Sequence, residues 1–396
     1  MTPSARVQAS IDILDLVIAS ARDNGPAADK IISDWFRTRR FAGSSDRRAV
    51  RELAYGAIRR CGEIPSDGRA AMLTLAKDDA ALAALFDGSP HAPEPIAADE
   101  RHALPGIAPK WLEEALAESD IAGDEAVALL SRAPLDVRIN TLKAARESLE
   151  LPIAGEPTSA RHALRFPFGT PVEQWEAHQR GLVEIQDTAS QLACEVVSAS
   201  PGETVIDLCA GAGGKALALA AAMDNRGRII ACDIDRARLS RLAPRAARAG
   251  ATSIETRLLN PGGELAGLRE WLGPDGQGAH AVLVDAPCSG SGTWRRNPES
   301  RWRLNAKQLA RYATVQAQLL EIAAPLVRPG GRLIYATCSL LDSEGAGQIA
   351  DFLARRTDFR ADPPLLAAGR PRGSGIRLTP CHDNTDGFFV ARLLRI

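Results

Sequence analysis

The chain has little lysine, no surplus of either charge and no long apolar run, and each shortage excludes something. Lysine occupies six positions of 396, so the positive charge is carried by arginine. The 48 basic residues face 49 acidic ones for a formal net charge of -1, which gives no whole-molecule attraction to nucleic acid or an anionic membrane. The N-terminal apolar run is interrupted by Arg6, Asp12 and Asp15, and no stretch of about 18 apolar residues follows, so neither a signal peptide nor a membrane span is expected. The seven cysteines form no C-x-x-C pair and the six histidines do not cluster, which argues against a metal site or a disulfide framework. Reduced thiols in a cytoplasmic protein are the expectation. What is present is a 45% hydrophobic, 24% charged composition, ordinary for a folded chain with two or three cores.

Apolar residues recur at intervals of three and four from Val7 to Arg60 (Ile11, Leu14, Val17, Ile18, then Ile31, Ile32, Trp35, Phe36, then Val50, Leu53, Ala54, Ala57), the spacing of a small helical bundle. Ser45 with Asp46 is expected to cap its last helix. Residues 1–75 are assigned to this domain and 76–105, acidic and containing SPHAPEPIAA, to a linker. Residues 106–180 mix a helix (PKWLEEALAE) with strand candidates (DVRINTL, HALRFPF), suggesting a small α+β subdomain. From 181 to 396, ETVIDL, GRIIACD, SIETRLL, HAVLVDAP and GRLIYAT alternate with helical patterns, implying a mostly parallel α/β sheet. DGFFVARLL is expected as a last, antiparallel strand.

DLCAGAGGKALALA joins a strand, a tight glycine turn and a helix start, the way an open α/β sheet cups a cofactor. Asp233, 22 positions past Gly211, ends the next strand, where a carboxylate accepts hydrogen bonds from a ribose. Asp235 is expected to cap the following helix. NAD and S-adenosylmethionine both present that ribose, so the loop alone does not choose between a dehydrogenase and a methyltransferase. Cys288 and Cys338 decide, each lying just past a buried strand and therefore on one rim of the sheet. Two thiols beside a methyl donor suit methylation of a pyrimidine carbon. A thiolate adds at carbon 6 of cytosine and makes carbon 5 nucleophilic, and a second group assists loss of the carbon 5 proton and of the thiol. Spacing does not assign the two roles, since a Pro-Cys nucleophile, as in Pro287-Cys288, is what DNA cytosine methyltransferases use.

DAPCSGSGTWRRNP, YATCS and CAGAGGK, with QDTASQL, PLDVRINTLK and DGFFVARL around them, resemble the ordered motifs of RNA (cytosine-5) methyltransferases of the Nop/Sun family, ribosomal RNA small subunit methyltransferase B type. The resemblance implies a Rossmann-like S-adenosylmethionine-dependent core behind an all-helical NusB-like domain and a small RNA-binding module. It implies Cys338 as nucleophile, Cys288 in product release and Asp285 near the methyl donor and the target base. Cys209, Ala210, Gly211, Ala212, Gly213, Gly214 and Lys215 would wrap the methionine part of the cofactor, and Asp233 the ribose. Three departures stand out. Ala212 replaces the family's usual proline, RLLNPGG offers Asn260 where an acidic residue commonly meets the adenine side, and a lone Glu344 replaces a run of glutamates.

The -1 balance is then a cancellation. Residues 37–60 hold eight arginines against Asp46 and Glu52, residues 295–311 six basic side chains against Glu299, and residues 78–125 twelve acids against Arg101 and Lys110. The basic clusters mark candidate phosphate contacts, with Arg47, Arg48, Arg295, Arg296 and Arg301 as the expected RNA-binding residues. Trp294 and Trp302 either stack on a base or pack in a core. The expected protein is a monomeric RNA methyltransferase with ribosomal RNA as partner and neither metal nor membrane. The same chemistry on transfer RNA or large-subunit RNA, or a non-catalytic assembly factor, are the alternatives.

Overall fold

A computed structural model describes residues 1–272 and 277–396. The chain divides into two units, Met1–Ser131 with Thr293–Asn305, and Arg132–Gly292 with Ala306–Ile396.

The first unit is helical: α1 (Pro3–Arg22), α2 (Ala28–Arg37), α3 (Ser44–Arg60), α4 (Gly68–Ala76), α5 (Ala80–Ala83), α6 (Lys110–Glu118) and α7 (Asp124–Ala128). The three-and-four spacing buries Ile11, Leu14, Val17, Ile18, Ile32, Trp35, Phe36, Val50 and Ala54 in one core. At α3 the N-cap is Gly43 rather than Ser45. Asp46 sits three residues in and accepts the Gly43 N–H at 3.2 Å, while pairing with Arg6 at 2.8 Å.

Residues 76–105 are not a linker. Leu82, Phe86 and Ala103 enter the helical core, Thr74 Oγ1 donates to Ala103 O at 2.9 Å, and Arg69 grips the Glu94 and Pro95 carbonyls and the Glu100 carboxylate. Proline and acid content signalled irregular backbone correctly, but these contacts strap it to the bundle. The helix PKWLEEALAE also belongs to this unit, so the boundary falls at 131/132 instead of 105/106.

The second unit opens with an antiparallel sheet of β1 (Leu135–Ile139), β2 (Glu156–Pro157), β3 (Ala163–Phe166) and, after α8 (Glu176–Gln179), β4 (Val183–Ile185), in the order β2-β3-β1-β4. Val137, Ile139, Phe166 and Trp175 form its small core. Then follow α9 (Thr188–Val197), β5 (Thr204–Asp207), α10 (Gly214–Ala222), β6 (Arg228–Asp233), α11 (Arg236–Leu239), α12 (Leu242–Ala249), β7 (Ile254–Leu258), α13 (Glu264–Trp271), β8 (Ala279–Asp285), α14 (Ala306–Ala323), β9 (Val327–Thr337) and α15 (Ala346–Arg355). The chain closes with β10 (Phe359–Ala361), β11 (Arg370–Arg372), β12 (Gly375–Leu378), α16 (Pro380–Asp383) and β13 (Phe388–Arg395).

The large sheet runs β11-β12-β13-β9-β8-β5-β6-β7, with β10 also on β13. Strands β5 to β9 are mutually parallel, and β13 is antiparallel to β9. Alternation along each strand feeds two layers. Val205, Ile229 and Leu283 face the helices α9, α10 and α12, whereas Ile206, Ile230 and Val282 face α13, α14 and α15. Both faces are covered over β5, β6, β8 and β9, which is why those strands read as apolar runs, whereas the edge strand β7 carries Glu255 and Arg257 and is only half-buried.

Candidate active site

Every parallel strand of this sheet points its carboxyl end at one rim, and the loops leaving β5, β6, β8 and β9 there carry the chemistry. After β5 the chain turns through Leu208–Gly213. Gly211 and Gly213 take φ values of +53° and +83°, and a Cβ on Gly213 would lie 2.4 Å from Leu242 Cγ, so this turn admits only glycine there. Ala210 N donates to Cys232 O at 2.8 Å, tying the turn to the end of β6. Asp233 accepts from Gly211 N and Asp235 N, both at 2.8 Å, which fixes its carboxylate while each oxygen keeps a second lone pair. Asp235 caps α11 through Ala237 N and Arg238 N. Asn260 is exposed beyond β7, and its backbone carbonyl accepts Gly263 N at 3.0 Å.

The rim also holds a charged cluster of which the sequence reading named two members. Lys215 Nζ, at the start of α10, donates to Asp285 Oδ2 at the end of β8 over 2.6 Å. Burial works against the Lys215 ammonium, but Asp285 and its acidic neighbours outweigh it and hold its pKa above the usual lysine range. Asp207, the last residue of β5, was not singled out. Its carboxyl is fully buried, and burial, then Asp285, push its pKa up to about 7 against the pull of Lys215. An acid ending the strand that runs into a glycine loop was the available signal.

Cys288 and Cys338 meet with their sulfurs 3.4 Å apart. Both are half-buried. The Cys338 contact, then burial and Glu344, push the Cys288 thiol well above the ordinary cysteine range, so Cys288 keeps its proton at neutral pH. Burial likewise raises Cys61, Cys194, Cys209 and Cys232, the inert state expected of packed thiols. Among the described residues all seven cysteines are free.

Behind the pair lies a polar network that the sequence reading missed, having noted Glu344 only as a departure. The Glu344 carboxylate is fully buried and accepts from Ser289 N at 2.9 Å, Ser289 Oγ, Ser339 Oγ at 2.6 Å and Gln316 Nε2 at 3.1 Å. Ser289 follows Cys288 and Ser339 follows Cys338, so one carboxylate holds both cysteine loops. Gln316 Nε2 also donates to Pro287 O, and Tyr335 Oη to Glu344 O at 2.6 Å.

Part of the expected RNA surface is corrected. Arg301 is fully buried in the helical unit, where its Nη2 donates to Ile58 O and Cys61 O, both at 2.7 Å, and burial pulls its pKa down to about 9. Arg295 is 4% exposed, and Trp294 and Trp302 are core residues. Arg303 is spent on the carbonyls of Ser20, Gly25 and Pro26. This charge run builds a fold because its guanidinium groups satisfy helix-end carbonyls. Arg296 is half-buried, while Arg47 and Arg48 stay exposed on α3.

Residues 195–394 match the family model of the 16S rRNA methyltransferase RsmB/F. The chain belongs to this family. An RsmB/F relative, the ribosomal RNA small subunit methyltransferase B of Xylella fastidiosa, is 34% identical over 75% of this chain and 72% of its own length. A probable ribosomal RNA small subunit methyltransferase B of Synechocystis is 33% identical over 65% of this chain, which spans only 59% of that relative. The solved structure of PH0851 superposes with a TM-score of 0.74 at 25% identity, over 99% of either chain. The RsmB/F core is thus the Rossmann-like fold of S-adenosylmethionine-dependent methyltransferases, and S-adenosylmethionine is its cofactor. The residues present fit that group: a glycine turn closed against Leu242, the Asp233 carboxylate at the next strand end, and the partly exposed Asp285 carboxylate at the end of β8, paired with Lys215. Among the described residues no cluster of three or more His, Cys, Asp or Glu is placed to hold a metal, and no helix is long and apolar enough to cross a membrane.

Proposed function

We propose that this RsmB/F protein forms 5-methylcytosine in small-subunit ribosomal RNA through a covalent cysteine adduct at cytosine carbon 6. The observation that carries the reading is the 3.4 Å approach of Cys288 and Cys338 at the rim of a methyltransferase sheet. A dehydrogenase has no use for such a pair. S-adenosylmethionine supplies an electrophilic methyl group when bound, and the turn from Cys209 through Ala210, Ala212 and Gly214 to Lys215 would hold its methionine part. Asp233 holds the ribose, and exposed Asn260 is the candidate contact on the adenine side. Cys338 would lose its thiol proton to solvent and add to carbon 6, opening the carbon 5–carbon 6 double bond. Carbon 5 would take the methyl group, with the demethylated cofactor leaving as a neutral sulfide, and would then lose its proton as the carbon–sulfur bond breaks. Cys288 would assist release by passing its thiol proton to the departing Cys338 sulfur while taking up the carbon 5 proton, so that both thiols are restored. Asp285, anchored by Lys215, would meet the methyl donor and the cytosine ring.

RNA contacts in this reading come from Arg47 and Arg48, which share the exposed end of α2 and α3 with Arg40 and a 73% exposed Phe41. Guanidinium groups beside an exposed ring suit a phosphate backbone with unstacked bases. The test is tritiated-methyl transfer to ribosomal RNA with two variants. Cys338→Ala is expected to abolish transfer, and Cys288→Ala to accumulate a protein–RNA adduct on denaturing gels. Full activity of Cys338→Ala would overturn the assignment. Bisulfite sequencing of a deletion strain then separates small-subunit RNA from transfer RNA or large-subunit RNA.

A further inference from the structure

The motif PLDVRINTLK has no place in the chemistry above, yet its arginine occupies an unusual position. Arg138 lies on β1 with 5% of its surface exposed. Its Nε donates to Gln186 Oε1 at 2.8 Å, and among the described residues its terminal nitrogens make no hydrogen bond. Gln186 is itself fixed, donating to Ser190 Oγ at 3.1 Å and accepting from Gln191 Nε2 through its backbone carbonyl at 2.9 Å. The cross-strand neighbour of Arg138 is Glu184, but that carboxylate is committed to Arg245 and Arg248. The Arg138 stem is buried, but its terminal nitrogens are not sealed off, so their unused N–H groups open onto space that an acceptor can reach.

Arg138 lines a cleft of about 540 Å³ together with Arg161, His162, Gln191, Cys194 and Glu195. Arg161 is exposed at its mouth, and its guanidinium makes no hydrogen bond among the described residues. The single carboxylate of the lining, Glu195, accepts the Arg161 backbone N–H at 2.8 Å. His162 reports the sign of the local field: burial first, then Arg161, Arg138 and Arg146, lower its pKa below the ordinary histidine value. Positive charge therefore comes from several directions on a site that carries one acid.

We propose that this cleft binds one phosphate group, with Arg138 as its inner anchor and Arg161 as its outer contact. Two guanidinium forks with unspent N–H groups match the geometry of phosphate oxygens better than any other common anion-binding arrangement. The phosphate comes either from the backbone of the substrate RNA or from a free phosphate compound. The first source rests on the RNA methyltransferase reading, whereas the anion site does not.

The experiment uses the full-length protein with Arg138→Gln, Arg138→Lys and Arg161→Ala. Inorganic phosphate is titrated and followed by phosphorus NMR line broadening. Wild type is expected to saturate, Arg138→Gln and Arg161→Ala to bind at least tenfold more weakly, and Arg138→Lys to recover part of the loss. The surface position of Arg161 keeps the test decisive where Arg138→Gln fails to fold. A non-saturable titration, or one unchanged by Arg161→Ala and by a folded Arg138→Gln, overturns the site. In a second arm, a 16S rRNA transcript is bound at several salt concentrations. If RNA is the source, Arg161→Ala raises both the RNA Kd and KM several-fold, leaves kcat at saturation intact and lowers the salt slope by about 1. If a free compound is the source, the RNA values do not move while the phosphate titration still responds. Absence of methyl transfer by the wild type would remove the functional reading and leave the phosphate result standing.

Discussion

At Asp207 the fold holds a carboxyl that the unfolded chain would ionise near pH 4, with its native pKa at about 7. Between those values the native state binds a proton that the unfolded state has released, so stability contributed here is full below about pH 4 and lost as pH rises through 7. Asp207→Asn should remove that slope. Urea unfolding is expected to show a gain over wild type that grows from pH 4 to 7, reaching up to about 4 kcal/mol, and stays flat above. Glu344 is also buried, but its carboxylate oxygens are held by four donors. Glu344→Gln is expected to cost about 3 kcal/mol, measured by the same unfolding curves. It should also lower kcat more than tenfold while leaving KM for RNA unchanged, since what it loosens is the register of the Cys288 and Cys338 loops. A change in KM with kcat intact would contradict that positioning role. Glu344 is not readable as functional from the sequence, and Asp207 only through its place just before the glycine loop. Asp207 reads as the end of an apolar strand, and the partners that define Glu344 lie 28 and 55 positions away.

Among the elements, the cysteine loops depend on a backbone crossing. Gly292 N donates to Cys338 O at 2.9 Å, and Gly387 N to Gly292 O at 2.8 Å. A Cβ on Gly292 would come within 2.0 Å of the Gly387 oxygen. Gly292→Ala is therefore expected to cost about 3 kcal/mol or more, seen as a drop in Tm, and to slow methyl transfer by displacing the Cys338 carbonyl. This crossing explains the glycine of the closing DGFFVARL, which a sequence shows only as a strand signal. The parallel strands themselves were legible: five strand candidates ending in loops became β5 to β9, and the alternating last run became the antiparallel β13. Helix α6 was legible as a helix but not as a member of the first unit, because amphipathic spacing says which face is buried and not against what.

Over the whole molecule, the least legible feature is the segment Thr293–Asn305, which follows the Cys288 loop in sequence yet belongs to the helical unit. As a run of arginines it resembled an RNA surface. Its side chains instead supply that unit with a core tryptophan, Trp302, a Glu299 carboxylate on Ala28 N at 3.0 Å, and the Arg301 and Arg303 bonds to helix-end carbonyls. A chain cut to residues 132–396 would carry this segment without its partners. Such a fragment is expected to bind ANS and to sediment as aggregate, where the full chain does not. Connections of this span also set an order of events during synthesis. Domains commonly fold from the N-terminus as they emerge from the ribosome. Here residues 1–131 leave the tunnel more than 160 residues before Thr293, and Arg301 closes contacts 240 positions back. The unit that holds residues 1–131 is thus unable to finish before residues 132–292 have followed it: it waits, incompletely packed, until Asn305 has been translated.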